Sequence, residues 1–169
     1  IGTNDRLFNS FDDHGFYPFY QGDKSFAYVA NYGHGMATHE HVRAYRAWAA
    51  HCFWGRPITR LTAMGTVEQG ELKVSAIVQS QSEITELRLL YCFKKGVRFN
   101  DDKDRYKSLP MKRDGDGGYW KAALPSDREV YWYVEARDRA QGFDSIATTL
   151  LKSTHRNRRP PPKTRRQDG

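Results

Sequence analysis

From Pro57 onward the chain alternates. Residues 59–69, 71–79, 84–94, 106–113, 119–124, 129–138 and 144–152 are seven short runs in which apolar and polar side chains take turns. That two-residue period is the signature of a strand with one face toward a core. Turn-forming residues punctuate the runs: Gly70, SQSE at 80–83, DGDGG at 114–118, PSD at 125–127 and Gly142. No helix can bury such a pattern on one side, so this half of the chain is confined to antiparallel β architectures.

Seven alternating strands at this spacing predict an all-β sandwich of the immunoglobulin or fibronectin-III type over residues 57–152. Leu72, Val74, Ala76 and Val78 form one inward face, and Leu87, Leu89 and Tyr91 another. In EVYWYVEARD, Val130, Trp132 and Val134 alternate with Tyr131, Tyr133 and Glu135, which predicts one buried face and one wet face. Trp120, Tyr131 and Tyr133 have the chemistry to stack on a sugar or peptide, although packing on the sheet is the favoured role. Asp114 and Asp116 in a glycine-rich stretch resemble a calcium loop, but no glutamate completes one, and a hairpin turn is expected instead.

The first 56 residues read differently. KSFAYVANYGHGM, residues 24–36, has the composition of a buried strand that ends at Asn31 and Gly33 and delivers His34 between two glycines. Glycine on both sides lets other groups approach closely. Upstream, GTND places Asp5 in a turn, 29 residues before His34. A carboxylate at one strand end and an imidazole at the next is the second half of a Ser…Asp…His order. The carboxylate would fix the imidazole tautomer and stabilise the imidazolium formed when the ring takes a nucleophile's proton.

GTNDRLF, then Asp12 and Asp13, then GDKSFAYVANYGHGM, resembles the closing segment of the α/β-hydrolase superfamily, nearest to the PhoPQ-activated pathogenicity-related proteins. That branch carries a G-x-N-D-x-x-F turn, a G-x-K strand and a P-N-x-G-H loop, and Ala30 stands where its proline is usual. The resemblance implies that Asp5 is the catalytic acid and His34 the catalytic histidine. It also implies hydrolysis of a small ester or a peptide by acyl transfer, in a secreted or periplasmic protein. No G-x-S-x-G occurs, and Ser25 begins a strand rather than standing on a strand-to-helix elbow. The expected fold class is therefore the C-terminal fragment of an α/β-hydrolase (1–56), then the sandwich (57–152), then a basic tail (153–169). Such a fragment would be inactive alone, with its nucleophile and oxyanion hole in sequence upstream.

Residues 39–53 predict a helix, with Thr38 as N-cap, Gly55-Arg56-Pro57 as stop, and an apolar stripe of Val42, Tyr45, Ala49 and Phe53. Cys52 on the helix and Cys92 on a strand read as small buried hydrophobes rather than a bridge. The aromatic residues Phe8, Phe11, Phe16, Tyr17, Phe19 and Tyr20 read as packing against a sheet. His34, His39 and His41 lack a helix-spaced acid or thiol, so no metal is expected, and no cofactor. No apolar run approaches membrane-spanning length.

The net charge of +7 is uneven: residues 152–169 hold seven Lys and Arg against Asp168, leaving the rest at +1. Nucleic-acid binding is accordingly not expected of the globular part, and the proline-rich tail reads as disordered. The sandwich is expected to pack on the hydrolase portion. The rival to the hydrolase reading is a non-enzymatic module whose sandwich recognises carbohydrate or protein.

Overall fold

The computed structural model describes residues 21–33, 38–93, 106–115 and 118–154. Among these residues the chain forms one helix, α1 (His39–Trp54), and nine strands. The strands are β1 (Arg60–Glu68), β2 (Glu71–Gln79), β3 (Glu83–Cys92), β4 (Lys107–Pro110), β5 (Lys112–Asp114), β6 (Tyr119–Pro125), β7 (Tyr131–Ala140), β8 (Phe143–Thr148) and β9 (Lys152–Ser153). They make two antiparallel sheets, ordered β1-β2-β6-β5 and β4-β3-β7-β8, with β9 also paired to β7. The fold is β-sandwich-like.

The core follows from the alternation. Ala63 of β1, Leu72, Val74 and Ala76 of β2, and Leu124 of β6 meet Leu87 and Leu89 of β3 and Trp132, Val134 and Ala136 of β7. Each large side chain buried there contributes about 1.5–3 kcal/mol. The run at 106–113 differs from the single strand expected. It breaks at Met111, whose side chain is buried and whose N–H donates to the Leu87 carbonyl at 2.9 Å. The chain thereby passes from the second sheet (β4) to the first (β5).

The second sheet is covered on both sides, so its expected wet face is corrected. Tyr131 and Tyr133 are buried with Tyr28, Leu90, Cys92, Tyr106 and Leu151 in a second apolar cluster on the outer face. Glu135, also buried, accepts from Arg88 Nε at 3.1 Å and Nη2 at 2.6 Å, and from Arg137 Nε at 3.2 Å. The cover is the stretch around Phe26–Tyr28 together with α1. The Tyr28 N–H donates to Thr148 Oγ1 at 3.1 Å, and the Thr148 N–H to the Phe26 carbonyl at 3.4 Å. Asn31 adopts a left-handed φ of 60° and grips Tyr106 through its amide, Nδ2 donating to the Tyr106 carbonyl at 3.0 Å.

This architecture overturns the α/β-hydrolase portion and, with it, the resemblance to the PhoPQ-activated branch. Every strand pairing among the described residues is antiparallel. The helix packs on β8 of an antiparallel sheet instead of crossing between parallel strands. Residues 24–28 are irregular and Val29 makes only an isolated bridge. The apolar run there announced burial correctly, but a short apolar run does not say what buries it.

The helix also turns a different face inward. Thr38 caps it as expected, Oγ1 accepting from the His41 N–H at 3.3 Å, and Gly55 closes it at φ 66°. Its buried residues are His41, Ala47 and Ala50, whereas Val42, Tyr45 and Phe53 are 47%, 64% and 75% exposed. Cys52 is exposed too, a correction to its expected burial; Cys92 is buried.

Candidate functional site

Asp5 and His34, the expected acid and histidine, both lie outside the described residues, as do Asp12, Asp13, Asp116 and the tail from residue 155. The family resemblance that gave Asp5 and His34 their roles does not survive the fold. Of the other expected candidates, Tyr131 and Tyr133 are core residues and Trp120 is half-buried against the core. None presents an open ring for stacking. Asp114 pairs with Lys121 at 2.5 Å, within the β5–β6 hairpin. His41 is buried at the helix N-terminus, with Nδ1 2.7 Å from Thr38 Oγ1. No group of three or more metal-ligating side chains occurs among the described residues. No described helix is long and apolar enough to cross a membrane.

The two sheets have four edges, and three are protected by ordinary means. β4 is four residues long and ends at Pro110. β5 is three residues long and every one is charged. Beside β8 run residues 26–28, bonded to Thr148. β1 is the exception. It is nine residues long, contains no proline, and among the described residues no strand pairs with its outer side.

Open concavities flank β1 on both sides. One, of about 710 Å³, lies over the first sheet and is lined by Met64, Thr66, Lys73, Ser75, Lys112 and Lys121. The other, of about 830 Å³, lies between β1 and β9 and is lined by Gly65, Val67, Leu72, Trp132, Leu150 and Lys152. Met64 and Thr66 belong to both. Met64 is 75% exposed and Val67 50%, so apolar side chains stand beside the unpaired side of β1.

The charges around β1 are of two kinds. Lys73 is paired with Glu68 at 3.0 Å, which raises its pKa, and Lys121 with Asp114. Lys152 is different. Its ammonium donates to the Ala63 carbonyl and lies 5.4 Å from the centre of the Trp132 ring, and no described carboxylate pairs with it. Burial holds its pKa below the ordinary lysine value.

The residues of β1 were visible in the sequence as an alternating strand with Met64 and Val67 in it. What the sequence lacked was any signal that this strand, and not β4, β5 or β8, would be left as the long bare edge.

The described residues thus define a two-sheet antiparallel β-sandwich whose open feature is a strand edge between two concavities. Comparison of the chain with family models, with curated proteins and with solved structures gave no match.

Proposed function

We propose that this chain is a non-enzymatic binding module, an immunoglobulin-like sandwich that recognises a protein partner through β1 and the concavities beside it. The strand order supports the immunoglobulin-like reading: β1-β2-β6-β5 facing β3-β7-β8 has the four-plus-three layout of that fold, with β4 as one extra edge strand. The observation that carries the binding reading is the nine-residue edge that no described strand pairs on its outer side, with Met64 and Val67 exposed. Protein is favoured over carbohydrate because Tyr131 and Tyr133 are consumed by the core, Trp120 is half-buried, and the exposed Tyr45, Phe53, Trp54 and Tyr119 do not line the concavities beside β1.

The test is an amide chemical-shift titration of the labelled chain. Extended peptides alternating valine with serine should shift the amides of β1, while soluble cello- and chito-oligosaccharides should leave them unmoved. Placing lysine at both Met64 and Val67, a change that guards natural edge strands, should abolish the peptide shifts and preserve the spectrum elsewhere. Sugar-induced shifts on β1, or peptides that leave β1 untouched, would overturn the reading.

A further inference from the structure

Resting on that reading, we propose that β1 takes an extended segment of the partner protein as an added strand, and that Lys152 reads a carboxylate on that segment. In an antiparallel strand the N–H and C=O of alternate residues point to the same side. Because the Ala63 carbonyl faces Lys152, the backbone groups of Leu61, Gly65 and Val67 share that outward side. β1's other side is fully used by β2, with a continuous register from Arg60↔Gln79 to Glu68↔Glu71. Strand addition is the mode of recognition that meets such a row of backbone groups, main-chain bonds supplying affinity and alternate side-chain pockets supplying specificity.

The side-chain requirements follow from the groove wall. Trp132 and Leu72 form an apolar floor beneath Gly65 and Val67. Gly65 leaves no room to spare: a Cβ built on it would come within 2.5 Å of Trp132 Cζ2. The strand's backbone therefore lies directly against the indole. Lys152 stands at the end of that floor. An ammonium has three donors, and one of them is on Ala63. A half-buried cation with donors to spare and no carboxylate partner among the described residues is best met by an anionic oxygen. An aspartate or glutamate on the added segment supplies it, whereas a basic or uncharged segment does not.

The experiment uses the full chain and acetylated nine-residue peptides alternating valine with serine, in which one aspartate is walked through the sequence. Each has an asparagine twin. The best aspartate peptide should bind about tenfold more tightly than its twin, the worth of one charged hydrogen bond. Lys152→Met should erase that preference, and Lys152→Arg should retain it. N-methylation of the peptide amides facing β1 should abolish binding by either peptide. Equal binding of aspartate and asparagine peptides, or a preference that survives Lys152→Met, overturns the carboxylate recognition while leaving β1 as a protein-docking edge. Tolerance of N-methylation overturns strand addition. Absence of binding by every peptide overturns both this inference and the function on which it rests.

Discussion

Arg56 and Asp138 form an ion pair with side chains only 2% and 1% exposed, and it ties the segment just past α1 to the C-terminal end of β7. Thr59 donates a second hydrogen bond to the same carboxylate, and Arg56 Nη1 reaches the Pro57 carbonyl at 3.1 Å. The Arg56 guanidinium also lies 5.1 Å from the centre of the Phe143 ring. Removing one partner strands the other charge in the interior, which costs about 3–5 kcal/mol. Asp138→Ala and Arg56→Ala should each lower the urea midpoint sharply. Arg56→Met combined with Asp138→Leu should recover much of the loss. Equal loss in the double variant would show that packing, not the stranded charge, is what matters.

Gly65 and Trp132 form a second close relationship, with the space for a Cβ at Gly65 already occupied by the indole. Gly65→Ala should destabilise by about 1–3 kcal/mol through overpacking. Because the clash is with one ring, Trp132→Phe should partly relieve it, and a double-mutant cycle should return a coupling of about 1 kcal/mol or more. Additive losses would place the clash elsewhere.

His41 makes the fold sensitive to acid. Burial holds its pKa below the ordinary value, with Glu40 opposing. The ring faces the Thr38 hydroxyl at 2.7 Å and packs edge-to-face with Tyr32, and its buried Nε2 has no hydrogen-bond partner among the described residues. The Thr38 hydroxyl can donate to Nδ1 only while that nitrogen is unprotonated. The unfolded chain therefore takes up the proton first as pH falls. The contribution of His41 is constant above about pH 6.5 and declines below it, with a slope of at most about 1.4 kcal/mol per pH unit. It levels off once the folded form is protonated as well. Urea titrations from pH 8 to pH 5 should show this decline in the native sequence and a flatter profile in His41→Gln. Parallel profiles would remove His41 as the sensor.

The strands of the sandwich were legible because their faces differ. Leu72, Val74 and Ala76 alternate with Lys73, Ser75 and Ile77, and no other element buries that pattern so well. Three features were not legible, for one shared reason. Tyr131 and Tyr133 alternate with Trp132 and Val134, yet both sets are buried, because Tyr28 and its neighbours cover the outer face. The run at 106–113 has the length and composition of one strand, yet the chain changes sheets at Met111, just after Pro110. The Phe26–Val29 run has the composition of a buried strand and is instead an irregular cover for an antiparallel sheet. In each case the local pattern records how apolar a residue is, and not which distant segment arrives to cover it. The open edge at β1 was illegible for the converse reason: bareness is a property of what fails to arrive.

The helix offers the sharpest test of that distinction. Its apolar stripe, with Val42, Tyr45 and Phe53 47%, 64% and 75% exposed, points away from the sandwich, while Ala47 and Ala50 are buried. Small side chains let the helix axis approach the sheet closely, so volume there is restricted. Ala50→Leu should therefore cost about 1–3 kcal/mol by overpacking. Tyr45→Ser and Phe53→Ser, each removing far more apolar surface, should change stability by no more than about 0.5 kcal/mol. Cys52 should react with a thiol reagent in the folded chain at the rate of an exposed thiol, while Cys92 should react only on unfolding. If Phe53→Ser proved as damaging as Ala50→Leu, or if Cys52 were protected, the stripe would be covered, and the helix would be turned the way its periodicity first suggested.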